Sequence, residues 1–470
     1  MRRTPLHLLA TCALFAAPAW ADKEAPPPPG PAEAFRLPTP SEYQLPNGLR
    51  VTLVPYGAVP KANVSLVLQA GNIDTPSGQS GLPELVGKLL QEGTSTLSAE
   101  QLAQAASDLG GALEVDVGAD ESSVEIECLG EATAKAVGLV AQVISQPALP
   151  ESEVPRLKTD MVRELSIARS RQQPLAREAF AQVLYGSAHP YGRELAEPAE
   201  VQKLTLAEAK RFLSTFVGAN RAHLYVVGRY DEAAVREAVQ SAFGGWAPAP
   251  GAKRPAARPK SARAVYLLDR PGAVQSTVLL GLPVVPPSSP DYIPLSVANT
   301  LLGGSFGSRI TANIREKHGY TYSPFSALTA HPSVASWAEA ADVTSKDTAA
   351  AVQEVLNEVK LLRKTPPTPE ELAGFQRYMS GTFVLRNSAR PGIISQLRFV
   401  ELFGLPAAWL SSYVSKVNAV TPAEVTRVVK KYLDPAKMAL VVVGDRQLVG
   451  PTLAQFGHVT VLKPRPAAPP

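Results

Sequence analysis

Residues 204–228 read LTLAEAKRFLSTFVGANRAHLYVVG, and residues 420–444 read VTPAEVTRVVKKYLDPAKMALVVVG. The two stretches align without a gap and share a Thr, an Ala-Glu pair, an Arg, a Leu and the closing Val-Val-Gly. In each, Thr followed three residues later by Glu is the pattern of a capped helix, and the apolar run at the end is typical of a buried strand. A repeat of this kind predicts a duplicated domain.

The start of each half of the chain repeats as well. Residues 65–71 (SLVLQAG) and 81–92 (GLPELVGKLLQE) fall at one constant offset on residues 277–283 (TVLLGLP) and 293–304 (IPLSVANTLLGG). In both halves an apolar strand precedes a segment whose apolar residues recur at helical spacing. The sequence therefore predicts two copies of one domain.

Further elements lie between these landmarks in the first half. Alternating runs over 112–129 predict an antiparallel hairpin, and amphipathic segments at 132–147 and 151–170 predict two long helices. Hairpin-like strands followed by helices favour an α+β fold, in which an antiparallel-rich sheet packs against helices, over a doubly wound parallel sheet.

The chain contains 44 prolines among 470 residues, and they cluster in three places. The clusters are APPPPGPAEAFRLPTP at 25–40, APAPGAKRPAARPKSAR at 247–263 and KPRPAAPP at 463–470. Such segments are typically extended and poorly packed. The predicted boundaries are a signal peptide at 1–21, a Pro-rich disordered segment at 22–40, an N-terminal domain at 41–246, a linker at 247–263, a C-terminal domain at 264–462 and a tail at 463–470.

The first residues, MRRTPLHLLATCALFAAPAWA, combine two arginines, an apolar stretch and the small-x-small triplet Ala19-Trp20-Ala21. This pattern predicts a signal peptide cleaved after Ala21 and a periplasmic or secreted protein. A lipoprotein modified at Cys12 is the alternative. No later stretch is long and apolar enough to predict a membrane span.

Charge and composition exclude several classes of protein. Lys and Arg total 46 against 42 Asp and Glu, a balance that argues against nucleic acid as a partner. The two cysteines form no CxxC pair, and no two histidines after the signal segment lie within five residues of each other. A helical zinc site needs two ligands at i and i+4. Each histidine is therefore interpreted as a surface or capping residue.

Residues Gly303 to Gly307 match G-x-S-x-G, the pattern of a nucleophile elbow. That elbow needs a strand before the turn, whereas the residues before Gly303 have helical spacing. We interpret the segment as a Gly-rich loop that closes a helix, and a serine hydrolase acting through Ser305 is a remote alternative.

Arg315 and Tyr322 lie in NIREKHGYTYSPFSAL (313–328), where a helix is predicted to end near Gly319 before a strand begins. Guanidinium and phenol groups can donate hydrogen bonds to a peptide carbonyl. The residues alone leave two roles open, which are an ion pair with core packing and contact with a substrate.

The long string ANTLLGGSFGSRITANIREKHGYTYSPFSAL (298–328), together with HPYGR (189–193), resembles the M16 metallopeptidase family. The resemblance spans residues 41–460 and implies two homologous α+β domains. Active members carry an inverted zinc motif, H-x-x-E-H, on the helix that here reads SGLPELVGKLLQEGT. In that register the first ligand position is Glu84, the general-base position is Gly87 and the second ligand position is Lys88. Glu164 lies near the third ligand position.

The resemblance therefore implies that this chain binds no metal and no other cofactor. Paired members of the family combine one zinc-bearing subunit with one that has lost zinc but contacts the substrate. Arg315 and Tyr322 fall on positions that such partners retain, and Gly303, Gly304 and Ser305 fall on a glycine-rich substrate-recognition loop.

The expectation is a catalytically inactive subunit that pairs with a zinc-bearing homologue, which would hold the zinc, and contributes to binding a peptide. The alternative is a scaffold or peptide-binding protein with no role in proteolysis.

Overall fold

The computed structural model describes residues 38–260 and 263–463. The predicted signal peptide, most of the segment at 22–40 and residues 464–470 lie outside this range. Among the described residues, no helix combines the length and apolar character needed to cross a membrane.

The first half of the chain builds one mixed sheet. Its strands are β1 (Ser41–Gln44), β2 (Arg50–Pro55), β3 (Lys61–Leu68), β4 (Leu113–Val117), β5 (Ser122–Leu129) and β6 (Ala222–Gly228). They lie in the order β1-β2-β6-β3-β5-β4. The β2–β6 pair is parallel and the other neighbours are antiparallel. The predicted hairpin over 112–129 is confirmed as β4 and β5.

The helices of the first half lie on one face of this sheet, except for the helix at Gln172–Tyr185, which packs on the sheet of the second half. They are α1 (Leu82–Leu89), α2 (Ala99–Asp108), α3 (Thr133–Ser145), α4 (Val154–Ser170), α5 (Gln172–Tyr185), α6 (Pro198–Val201), α7 (Leu206–Phe216) and α8 (Glu232–Phe243). α7 begins at Thr205, whose side chain and that of Glu208 form a reciprocal cap. The two predicted long helices are confirmed as α3 and α4.

The second half repeats the sheet. Its strands are β7 (Ala264–Asp269), β8 (Gln275–Val284), β9 (Phe325–His331), β10 (Val334–Thr344), β11 (Ala439–Gly444) and β12 (Val459–Leu462), in the order β12-β7-β11-β8-β10-β9. Five of the six strands correspond in the two sheets: the order β7-β11-β8-β10-β9 in the second sheet repeats the order β2-β6-β3-β5-β4 in the first. The edge strand differs, because β1 is antiparallel to β2 whereas β12 follows the domain in sequence and is parallel to β7.

The helices of the second half follow the order of the first. They are α9 (Tyr292–Leu302), a π-helical segment (Thr311–Lys317), α10 (Thr348–Lys364), α11 (Pro369–Arg386), α12 (Arg390–Leu402), α13 (Ala408–Ala419), α14 (Pro422–Tyr432) and α15 (Arg446–Leu453). α14 carries the same reciprocal cap as α7, formed by Thr421 and Glu424. The duplication inferred from the sequence is thus present in the topology.

Each half lends one helix to the outer face of the other half's sheet. Phe180 and Leu184 of α5 pack on Leu279 and Val441 of the second sheet. Conversely, Ile393 and Ile394 of α12 pack on the first sheet, where they contact buried apolar residues that include Val54, Val67, Tyr225 and Val227. The inner faces of the two sheets carry separate cores.

Residues 247–260 form no helix or strand, and most of them are exposed. Hydrogen bonds and an ion pair nevertheless attach this segment to the first half. The Arg254 guanidinium pairs with both oxygens of the buried Asp74 carboxylate at 3.0 and 2.7 Å. Ala249 is buried against Asn220, whose side chain bonds the Ala249 backbone on both sides. The backbone adds to these contacts, because the Gly251 amide donates to the Thr215 carbonyl at 2.7 Å and the Lys260 amide donates to the Leu184 carbonyl at 2.8 Å.

Candidate functional site

α1 carries the residues that the family resemblance places at the zinc motif. The helix begins after Gly81, whose φ of 85° is left-handed and favours glycine. Glu84 and Lys88 lie one turn apart on this helix. The Lys88 ammonium donates to the Glu164 carboxylate on α4, with 3.0 Å between Nζ and Oε1. The residues that the resemblance places at the second ligand position and near the third therefore form an ion pair.

The first ligand position is a carboxyl group inside the first half. Asn72 donates to Glu84 Oε1 at 2.8 Å, and Glu84 Oε2 has no hydrogen-bond partner among the described residues. Burial raises the pKa of Glu84 above its usual range, and the hydrogen bonds from its own backbone and from Asn72 oppose that rise.

The general-base position is occupied by close packing. A Cβ atom placed on Gly87 would lie 2.8 Å from Val117 Cγ2 on β4 and 3.6 Å from Val115 Cγ1. α1 can approach β4 this closely because the residue has no side chain. A carboxylate at this position would require β4 to move.

These donors do not fit zinc. Zinc sites use imidazole nitrogen, thiolate sulfur or carboxylate oxygen, whereas Lys88 offers an ammonium group at the predicted second ligand position. Among the residues that the structure describes, no group of three or more His, Cys, Asp or Glu side chains is arranged to hold a metal ion.

A second cluster lies in the second half, where the structure brings together the loop after α9, Arg315 and Tyr322. The Arg315 guanidinium carbon lies 4.3 Å from the ring centre of Phe306 and 4.8 Å from that of Tyr322. Both rings face solvent, because Phe306 is 73% exposed and Tyr322 is 82% exposed. Arg315 also has Glu316 Oε1 at 3.3 Å. Arg315 therefore has an ion-pair partner, whereas Tyr322 is exposed and is not a core residue. Contact with a substrate stays a prediction.

The backbone around this cluster has an irregular helix on one side and a hydrogen-bonded loop on the other. Arg315 lies on the π-helical segment, an irregularity often found at functional sites, and Gly319 with φ 65° follows it. The loop of Gly303 and Gly304 is tied to β9 by the Ser326 amide, which donates to the Gly303 carbonyl at 3.0 Å. This supports the interpretation of the segment as a Gly-rich loop that closes a helix.

Ser305 does not have the position of a nucleophile. Its side chain is buried and its hydroxyl donates to the Thr300 carbonyl at 3.0 Å. A nucleophile elbow needs a strand before the serine, and here the preceding element is α9.

Two family models match the chain. Residues 51–199 match the model described as insulinase (peptidase family M16), and residues 203–379 match the model described as peptidase M16 inactive domain. The chain belongs to the M16 family.

Relatives of this M16 chain carry both zinc protease and non-peptidase names. An uncharacterized zinc protease of Mycobacterium tuberculosis is 28% identical over 307 residues, which are 63% of this chain and 69% of that protein. A Helicobacter pylori protein named non-peptidase homolog YmxG is 21% identical over 391 residues, 83% of this chain and 90% of its own length.

Two solved structures share the fold of this chain. The peptidase M16 inactive domain from Pseudomonas fluorescens has a TM-score of 0.79 at 23% identity, covering 86% of this chain and 98% of that one. A Helicobacter pylori protease has the same TM-score at 19% identity, covering 87% of this chain and 100% of the other.

The HPYGR block of this M16 chain lies where the two halves meet. The His189 ring caps the turn that follows it by accepting from the Tyr191 amide at 3.2 Å, as a capping role predicts. The Tyr191 ring stacks on His331 of β9 with 3.6 Å between ring centres, and both side chains bond the Asp120 carboxylate.

The sequence interpretation missed several residues of these contacts. His331 and His223 were expected to be surface or capping residues, but their side chains are only 13% and 12% exposed and bond acidic residues across the two halves. Nothing in the local sequence indicates this, because the Glu401 partner of His223 lies 178 residues away. Phe306 was also missed, although an aromatic residue inside a Gly-rich loop was an available signal.

Proposed function

We propose that this chain is a non-catalytic M16 subunit that pairs with a zinc-bearing homologue and helps that partner hold an extended peptide. The observation that carries the proposal is the solvent-facing cluster of Phe306, Arg315 and Tyr322, in a chain whose zinc-motif helix carries a lysine bonded to Glu164. The exposed cluster supports substrate binding, and the lysine on the zinc-motif helix supports loss of catalysis.

Loss of catalysis follows from the groups on α1. Peptide hydrolysis by a zinc enzyme needs a metal that activates water and a base that accepts its proton. Gly87 offers no base, and the Lys88 cation opposes a divalent ion beside Glu164. The name of the Helicobacter pylori relative supports this part, and the zinc protease names of other relatives make it worth testing.

Substrate binding follows from the geometry of Arg315. The centres of two rings lie 4.3 and 4.8 Å from its guanidinium carbon, and these contacts restrict the side chain before a ligand arrives. A preorganised donor loses less entropy when it bonds a peptide carbonyl. Tyr322 adds a phenol donor beside it. In the assembled pair these groups would orient the peptide, while the partner's zinc would activate water.

The proposal includes export, with the signal peptide removed after Ala21. Intact mass of the protein purified from its host would then correspond to a chain beginning at Asp22. A mass that shows a lipid on Cys12 would support the lipoprotein alternative, and a mass that retains residues 1–21 would contradict cleavage.

The test is co-expression with a zinc-bearing M16 homologue from the same organism. We expect the two chains to co-purify in equal amounts and to hydrolyse an unstructured fluorogenic peptide. Arg315→Ala and Tyr322→Phe should lower kcat/KM by roughly 10- to 100-fold without dissociating the pair. Arg211→Ala, at an exposed arginine on α7, is the matched control and should leave turnover unchanged.

Different failures have different meanings. If the pair forms and both cluster variants turn over peptide at the unchanged rate, the chain is a scaffold and the assigned role of Arg315 and Tyr322 is wrong. If the isolated chain carries tightly bound, stoichiometric zinc, the non-catalytic part is wrong.

A further inference from the structure

A cavity of about 320 Å³ lies between α5 and the outer face of the second sheet. Its floor is formed by three alanines on neighbouring strands, Ala327 of β9 and Ala338 and Ala340 of β10. Ala327 and Ala338 are direct partners in the register of the two strands. These small side chains leave a trough under the helix, which we call the seam cavity.

Aromatic rings line the walls of the seam cavity. Phe180 of α5 and Phe325 of β9 face it, together with Tyr185 and Tyr191. Tyr185 meets Tyr191 edge to face at 5.6 Å between ring centres, and Tyr191 is itself stacked on His331. Such mutual contacts fix the rings, so the cavity does not depend on a mobile loop for its shape.

The corresponding position in the other half is occupied by protein. Where α12 covers the first sheet, Arg398 pairs with Glu121 and Glu125, each at 2.8 Å, and Arg390 pairs with Glu127. Where α5 covers the second sheet, the strand registers put Asp342 at the position of Glu125 and Ala340 at the position of Ser123. Two residues earlier in each half, Ala338 takes the place of Glu121, so the ion pair that Glu121 makes with Arg398 has no counterpart above the alanine floor.

Opposite charges stand at the rim of the seam cavity. Arg177 and Glu194 form a loose pair at 4.0 Å, and both side chains are about half exposed. An exposed pair of this kind is weak, so Arg177 can turn to another anion. The Asp342 carboxylate at the end of the trough accepts from Gln173 at 2.6 Å and from Thr277, and it has further acceptor sites available.

We propose that the seam cavity binds a zwitterionic aromatic ligand, either a free aromatic amino acid or a short peptide that contains one. The ring lies on the alanine floor, the carboxylate bonds Arg177 and the ammonium group bonds Asp342. The size and the mainly apolar lining with a few polar groups are those of a small-ligand site. The proposal does not depend on pairing with a zinc-bearing subunit.

The test is calorimetric titration of the purified mature chain with phenylalanine, Phe-Ala, Ala-Phe, Ala-Ala and C-terminally amidated Phe-Ala. We expect saturable binding of one molecule per chain for at least one phenylalanine-containing ligand. Ala-Ala should bind at least about tenfold more weakly, because it buries no ring. Comparison of phenylalanine with the dipeptides distinguishes the two sources of the ligand.

Two variants locate the site. Ala338→Phe fills the trough and should abolish binding, whereas Ala350→Phe, at an exposed alanine on α10, should leave it unchanged. Arg177→Gln, at an exposed position that does not endanger folding, should weaken Phe-Ala about tenfold. The amidated peptide should bind the wild-type chain about tenfold more weakly and lose nothing further in Arg177→Gln.

Three outcomes would overturn the proposal. They are the absence of saturable binding of any phenylalanine ligand in the millimolar range, equal affinity for Ala-Ala, and unchanged affinity in a folded Ala338→Phe. A loss on amidation that persists in full in Arg177→Gln would contradict the assignment of the carboxylate to Arg177.

Discussion

The Lys88 ammonium on α1 lies 3.0 Å from the Glu164 carboxylate on α4. The family resemblance implies that Lys88 is at the second zinc-ligand position and that Glu164 is near the third, which would place a positive charge of the protein where that resemblance puts the metal.

Replacing Glu84 and Lys88 with histidine should create a zinc site. Glu84→His and Lys88→His place two imidazoles one turn apart on α1, and Glu164 becomes available as a third ligand. We expect about one zinc per chain by metal analysis of the double variant, and none in either single variant. Peptide hydrolysis should stay absent because position 87 offers no base.

Adding Glu164→Ala to the double variant is the control and should remove the zinc. Retention of zinc in that triple variant, or no zinc in the double variant, would show that these positions do not converge.

Gly87→Ala should destabilise the protein by about 1–3 kcal/mol. The added Cβ would lie 2.8 Å from Val117 Cγ2, and such overpacking outweighs the gain in helix propensity, which is at most about 1 kcal/mol. Urea unfolding measures the change. Gly138→Ala in α3 is the matched control, since nothing lies within 4 Å of its added Cβ, and it should be neutral or stabilising. If Gly87→Ala proves more stable than the wild type, β4 must move away from the added Cβ at little cost in free energy.

Glu339→Gln should remove a pH dependence of stability. Glu339 is 2% exposed under the loop at Gly303, and burial raises its pKa well above the ordinary value. A raised pKa contributes stability that is complete below the unfolded pKa of about 4.3 and is lost as the pH rises towards the folded pKa, at about 1.4 kcal/mol per pH unit.

Unfolding free energies at pH 4 and pH 7 test this. The free energy of unfolding of Glu339→Gln, relative to that of the wild type, should be higher at pH 7 than at pH 4. Parallel pH profiles for the two proteins would show that Glu339 does not titrate between these values.

Glu401→Gln should reduce the loss of stability that the protein suffers at acidic pH. Burial works to raise the pKa of Glu401, but His223, Tyr225 and Arg50 around the carboxylate prevail and lower it to about 2. A lowered pKa contributes stability that is present above about 4.3 and is lost as the pH falls through the folded value. The wild type should therefore lose roughly 3 kcal/mol between pH 5 and pH 2 that the variant does not lose.

Chemical unfolding over a pH series measures the difference. Glu370→Gln, at an exposed glutamate on α11, is the control and should follow the wild-type profile. Equal acid sensitivity of Glu401→Gln and the wild type would remove Glu401 from the account of acid stability.

The sequence predicts those parts of the fold that depend on local order. The Thr205 and Thr421 caps, the hairpin at 112–129 and the helices α3 and α4 follow from residue spacing within one element, and the structure contains them. The family frame located Arg315 and Tyr322, which lie together, but the phenyl ring of Phe306 that completes the cluster was not recognised.

Contacts between distant parts of the chain could not be predicted in this way. α5 and α12 each read as ordinary helices, and no local pattern states which sheet an apolar face will cover. The Asp74–Arg254 pair spans 180 residues, and the attachment of the linker to the first half was not predicted for the same reason. Such contacts depend on the arrangement of the two sheets, which a single sequence does not contain.

The exchange of α5 and α12 gives the duplication a physical consequence. Neither repeat is self-sufficient, because the outer face of each sheet is completed by chain from the other copy. Truncation between the repeats would leave Val441 on one sheet and Val227 on the other without cover. An ancestor with a single repeat would have needed a second molecule of itself to supply the missing helix.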